Sequence, residues 1–427
     1  MATGIIGLLI LTLCILLFIT EWLPAVVTGA LGCLMMVLFQ VCTLEEAFSG
    51  FSNSIIYLLF GALIIGNAMF ETGAAARIGH QVVIWSKDNE RRFLLISGFA
   101  AGLLAMFLAN TAVIAAFLPI IDGACSTSCR MKRKNLTLNL AICTMLGGSC
   151  TLIGCTPQLT ANALLFETTG TSLSMFTMFA PGFLMLLFYL FFTQLFGYRL
   201  GERIWGGRLE EHFLLDAPSA TMEKPLSSPN DKKHRMILGI ILAAMLFFYL
   251  TEWLSTAMTA MCAAMLCILT GCTNVKTIRN TMDWESVLFL AFCLGLANAL
   301  NAGGSGELMT GFISSMLGNH PSDFLVYAAL CLLTLAVSNF ITNSTAILIV
   351  LPVGLSISTA LGINPLTMCL GIYFSASLAC STPLAAAQIS MTLVAGYRFT
   401  DYVKYTLPHT LLFYLCILFI VPAFFPF

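Results

Sequence analysis

Charged residues make up only 9% of this 427-residue sequence, against about 25% in an ordinary soluble domain. So few charges cannot cover a water-facing surface. With 59% hydrophobic residues and a mean hydropathy of +0.94, the composition instead dictates an all-α polytopic membrane protein. Histidine is equally sparse. His80, His212, His234, His320 and His409 stand apart, and the 16 Cys, scattered through apolar segments, show no ligand spacing. That excludes a metal centre and leaves the thiols as small buried hydrophobes. No nucleophile, metal cluster or paired acid and base falls at membrane depth, which excludes a membrane-embedded enzyme. The first apolar segment has neither a basic flank nor a small-residue cleavage site, so it reads as a span rather than a removable signal. Nucleic acid is not an expected partner; the lipid bilayer is.

What is present is a series of apolar stretches long enough to cross a bilayer, about 20 residues each. Ten fall near 4–20, 24–41, 54–70, 138–168, 178–197, 236–252, 255–271, 285–300, 365–393 and 405–425, the fourth and ninth being interrupted. Two more, 91–121 and 322–354, are too long for one span and carry a polar interruption near the middle. We read them as re-entrant helical hairpins. With ten crossings and the N terminus outside, the inward loops are 71–92, 122–137, 198–235, 272–284 and 394–404. These hold all 19 Lys and Arg, which is the sidedness that the positive-inside rule requires. Both termini are then outside, and the expected location is the cell membrane.

The halves repeat. FITEWLPAVVTGALG at 18–32 resembles YLTEWLSTAMTAMCA at 249–263, with Thr-Glu-Trp-Leu at 20–23 and 251–254. Glu21 and Glu252 read as solvated carboxylates at span ends, and Trp22 and Trp253 as interfacial anchors. The hairpin interruptions, Ala109-Asn110-Thr111 and Thr342-Asn343-Ser344, match at an offset of 233, and each Asn stands nine residues before a Pro, Pro119 or Pro352. Thr156-Pro157, in the first broken helix, pairs with Thr382-Pro383 in the second. Five crossings and one hairpin per half force the second half to lie upside down. The expected organisation is therefore two inverted repeats, 1–197 and 236–427, joined by a cytoplasmic linker, 198–235. Inverted repeats with interrupted helices at the midplane characterise secondary transporters.

Backbone freed at such breaks is tolerated only inside protein or beside a water-filled cavity. Helix N-termini there offer N–H donors and partial positive charge to an anion; C-terminal carbonyls and Asn or Thr oxygens suit a small hard cation such as sodium. No Lys or Arg lies in any span, so an anion must be held by dipoles, amides, hydroxyls and co-bound cations.

At these motifs the chain resembles the divalent-anion/sodium symporter family, within the superfamily that includes citrate and arsenite permeases, over nearly its whole length. The resemblance implies sodium-coupled symport of small di- or tricarboxylates by a homodimer. A transport domain, about 91–168 and 322–393, would move in an elevator fashion against a scaffold made of the other spans. It also implies that Asn110, Thr111, Thr156, Pro157, Asn343, Ser344, Thr382 and Pro383 face the anion. Asn110, Gly154 and Cys155 would help form one sodium site, and Ser338, Asn343 and Ser381 the other. The family's Ser-Asn-Thr signature opens here with Ala109 in one copy and Thr342 in the other. Its customary Asn after the Pro is replaced by Gln158 and Leu384. Dicarboxylate is the expected substrate; sulfate, citrate or another oxyanion, and an arsenite/antimonite or proton-coupled permease, are the alternatives.

Overall fold

The computed structural model describes residues 2–20, 22–86, 89–127, 131–205, 229–251, 253–303, 322–382 and 386–427. Glu21, His212, Glu252, His320, Pro383, Leu384 and most of the expected linker lie outside them. Every regular element among the described residues is helical.

The first half begins with α1 (Ala2–Thr20), α2 (Ala25–Leu38), α3 (Ser54–Glu71) and α4 (Ala74–Ser86). Asn53 caps α3 by accepting a hydrogen bond from the Ile55 amide at 3.0 Å, the usual work of an Asn one residue before a helix. Next come α5 (Glu90–Ala105) and α6 (Asn110–Thr127), separated by four residues, and then α7 (Arg133–Gly148) and α8 (Thr156–Thr169), separated by seven. The interruptions expected within 91–121 and 138–168 are thus real breaks between helices. A 27-residue helical segment, Phe179–Trp205, closes this half, its last turns carrying Arg199, Glu202 and Arg203 beyond the apolar stretch 178–197. It comprises α9 (Phe179–Phe192), a π-helical turn at Thr193–Gly197, and α10 (Tyr198–Trp205).

The second half has α11 (Pro229–Thr251), α12 (Thr256–Leu269), α13 (Val275–Thr281) and α14 (Trp284–Ala302), the last two bent by 69°. After these stand α15 (Asp323–Ser338) and α16 (Asn343–Leu361), again four residues apart. Then α17 (Pro365–Ser377) breaks before the short α18 (Ala387–Ser390), and α19 (Phe399–Phe424) ends the chain. Among the described residues, five helices are individually long and apolar enough to cross a membrane: Ser54–Glu71, Phe179–Trp205, Lys232–Thr251, Asn343–Leu361 and Phe399–Phe424. The chain is a multi-pass membrane protein.

Lipid supplies little hydrophobic drive between helices, so association rests on close packing at small residues. A Cβ on Gly147 would fall 2.0 Å from the Gly102 carbonyl oxygen. The backbones of α5 and α7 therefore touch there. The packing scheme recurs in both halves: α5 and α6 lie on α7, and α15 and α16 lie on α17. Helix α8 joins the two groups by packing against α16 and α17. A separate small core of Cys14, Cys33, Met36 and Cys293 links α1, α2 and α14.

The five basic loops meet at one end. Glu90, buried, accepts from the Lys132 amide at 2.9 Å, the Asn135 amide group at 3.0 Å and the Tyr198 hydroxyl at 2.5 Å. Lys132 pairs with Glu202 at 2.9 Å, and Arg133 donates to the Val394 carbonyl at 2.9 Å. Arg235 reaches Gly73, and the Cys272 thiol donates to the His234 carbonyl.

Candidate functional site

Each break places a helix start beside one cavity of about 560 Å³. Asn110 begins α6, Thr156 begins α8 and Asn343 begins α16, and all three line that cavity. The local reasons differ. Thr342 caps α16, its hydroxyl accepting from the Thr345 amide; Pro157 supplies the fixed φ that suits a first helical turn. Each N-terminus carries about half a positive charge and several unpaired N–H donors. Three of them around one space make it favourable for an anion, although no Lys or Arg among the described residues lines it.

The expected residues are largely brought together. Asn110, Thr111, Gly154, Cys155, Thr156, Pro157, Asn343 and Ser344 share the cavity wall. Three others lie behind it. Ser338 approaches Asn343 Oδ1 and the Ala376 carbonyl oxygen, each at 2.9 Å. Ser381 contacts the Thr410 hydroxyl at 2.8 Å, while its amide donates to Asn339 Oδ1 at 2.8 Å. Thr382 donates to the Asn339 carbonyl. Pro383 is outside the described residues.

That last bond resets one correspondence. In the first half it is Thr151, not Thr156, that makes the like contact, its hydroxyl donating to the Met106 carbonyl. Met106 and Asn339 are 233 residues apart, the offset of the two Asn motifs. The Thr-Pro pairs therefore sit differently: Thr156-Pro157 opens a helix, whereas Thr382 precedes the next helix by several residues.

The two Asn side chains have contrasting surroundings. Asn343 meets the Ser338 hydroxyl. Asn110 is 4% exposed and forms no full side-chain hydrogen bond; its amide interacts with the Cys155 thiol. Gly148 presses against it so tightly that an added Cβ would lie 2.3 Å from its Oδ1.

Sequence reasoning missed Asn67, Asp283, Glu285, Ser286 and Gln388, which also line the cavity. Asp283 caps α14, accepting from the Ser286 amide at 3.0 Å. An Asp-Trp-Glu-Ser run before an apolar stretch is readable as a helix start, but not as the wall of a site. The carboxylates put negative charge at this rim, so a bound anion here depends on helix ends and cations.

A cavity walled by helix breaks inside a multi-pass membrane chain is the architecture of a secondary transporter. The chain belongs to the citrate transporter family, whose family model matches residues 15–321, and it is a divalent-anion/sodium symporter relative. It is 24% identical over 410 residues to a sodium-dependent dicarboxylate transporter of Staphylococcus aureus, a match covering 89% of this chain and 78% of that protein. An uncharacterized transporter of Synechocystis is 31% identical over 167 residues, 39% of this chain and 27% of that one. Among solved structures, the YdaH transporter of Alcanivorax borkumensis shares the fold with a TM-score of 0.61 at 14% identity, covering 91% of this chain and 88% of that one.

Proposed function

We propose that the protein is a sodium-coupled symporter of small dicarboxylates, succinate being the test compound. One observation carries this reading: Asn110, Thr156 and Asn343, each starting a helix, wall a single cavity without a basic side chain. Dipoles and amides favour an anion there, and a dianion in a site rimmed by Asp283 and Glu285 is helped by an accompanying cation. Carboxylate-sized solutes fit a space of about 560 Å³. The kinship with a sodium-dependent dicarboxylate transporter supports the same substrate class and the same ion.

In this reading Asn110, Thr111, Thr156, Pro157, Asn343 and Ser344 contact the anion; Thr382, expected to face it, instead ties the second break to Asn339, and Pro383 lies outside the described residues. Ser338 and Asn343 serve sodium together with the Ala376 carbonyl, and Ser381 is tied to the same break through Asn339; Asn110 serves the anion. Residues 1–197 and 236–427 form inverted repeats about the linker 198–235, with α5–α6 and α15–α16 as re-entrant hairpins. A transport domain of about 91–168 and 322–393 slides against the remaining spans in a homodimer. The convergence of basic loops supports an inner face at that end, with both termini outside. Thr281, Met282 and Asp283, which belong to the basic loop 272–284, line the cavity.

Uptake of labelled succinate into proteoliposomes, with an inward sodium gradient and with choline in its place, tests the coupling. Sodium-driven accumulation is expected. Equal uptake in both would overturn it.

A further inference from the structure

The two breaks are lined differently, a set of oxygens in the second half and a side-chain amide donor in the first. Resting on the sodium-coupled reading above, we infer that each protomer holds one sodium ion, in the second half only. In the first half the Gln158 side chain stands in for a cation and leaves the Asn110 amide to the substrate.

In the second half, three oxygens converge. Ser338 Oγ is 2.9 Å from both Asn343 Oδ1 and the Ala376 carbonyl, and all three residues are buried. Ser338 has one hydroxyl proton, so only one of these contacts has a hydrogen between its oxygens. A hydroxyl, an amide oxygen and a helix-end carbonyl form the kind of oxygen set a small hard cation takes.

The first half lacks that set. The offset of 233 that relates Asn343 to Asn110 relates Ser338 to Ala105 and Thr342 to Ala109, so both hydroxyls become methyls. The carbonyls at this break are already engaged: Gln158 Nε2 donates to Gly148 O at 2.9 Å and to Thr151 O at 2.8 Å. Both amide hydrogens, each carrying partial positive charge, occupy these two carbonyls as a cation would. The amide cannot easily turn away. Its own oxygen accepts from the Cys155 thiol at 3.0 Å and from the hydroxyl of Tyr373, in the other half, at 3.3 Å, and the residue is fully buried. Asn110, which meets only the Cys155 thiol and lines the cavity, keeps its amide for the anion. Leaving a buried amide poorly paired is costly, so a ligand that pairs it gains.

Counting bound radioactive sodium at saturation on the purified, detergent-solubilised full chain tests this. One ion per protomer is expected. Two would overturn the inference and leave sodium coupling standing; none would overturn the coupling itself. Ser338→Ala, checked for folding by size-exclusion elution, is expected to lose the ion, and Asn110→Ala to keep it while binding succinate about tenfold more weakly. An ion that survives Ser338→Ala, or one lost in a folded Asn110→Ala, contradicts the assignment.

Discussion

Gly148 and Asn110 are in direct contact, the glycine Cα leaving no space for a methyl beside the amide. A Cβ there would lie 2.3 Å from Asn110 Oδ1, well inside any allowed separation. Gly148→Ala therefore has to displace the Asn110 side chain or the start of α6. Overpacking of this kind costs about 1–3 kcal/mol. We expect succinate uptake to fall at least about tenfold, with a lowered melting temperature. Unchanged uptake would show that Asn110 tolerates displacement and does not hold the substrate.

Thr151 and Thr382 hold their breaks to the ends of α5 and α15 through the Met106 and Asn339 carbonyls. Thr151→Val and Thr382→Val keep the shape and remove the bond, each at about 1–2 kcal/mol. Thermal unfolding in detergent is expected to show similar losses for both. A loss in Thr156→Val but none in Thr151→Val would restore the register that pairs Thr156 with Thr382.

Asp283 and Glu285 line the cavity, and both are exposed. Their charge opposes a dianion entering past them, subject to screening by salt over about 8–10 Å. Glu285→Gln is expected to lower the KM for succinate at the inner face by about two- to fivefold at low ionic strength, with little change at high salt. The same KM at both salt concentrations would remove the rim from the account. Asp283 caps α14, so Asp283→Asn is the variant that keeps the cap.

The Lys132–Glu202 pair ties α10 to the start of α7 at the basic end. Its hydrogen bond with Lys132 holds the Glu202 carboxyl below its ordinary 4.5, against a smaller opposing effect of burial. Because the folded value is the lower one, the stabilisation is complete above about 4.5 and fades as pH falls further. Both side chains are more than a third exposed, which limits the pair to well under about 1 kcal/mol. The difference in melting temperature between the wild type and Glu202→Gln is expected to be small at pH 7 and to vanish toward pH 3. A difference that grows on acidification would contradict this.

Much of this arrangement was legible in the sequence, for physical reasons that differ by feature. An Asn-hydroxyl pair inside an apolar run has no lipid-facing solution, so Asn110 and Asn343 announced breaks that the helices α5–α6 and α15–α16 display. Lys and Arg stay on one side for electrostatic reasons, and the loops they mark do converge. Ser381 and Thr382 were different. Which carbonyl a hydroxyl reaches depends on where the chain re-enters a helix, and α8 restarts at Thr156 while α18 restarts only at Ala387. The identical Thr-Pro letters therefore concealed unlike positions. Asp283 and Glu285 belonged to a helix start far from the motifs, and only the packing of α14 on α8 brought them to the wall.

The central claim is that the two Asn-tipped turns jointly hold the anion with its cation. Equilibrium binding of labelled succinate to the purified protein, in sodium and in choline, tests it most directly when Asn110→Ala and Asn343→Ala are measured beside the wild type. The account predicts binding that requires sodium and weakens about tenfold or more in each folded variant. Binding of equal strength in choline, or unaltered in both variants, would contradict it.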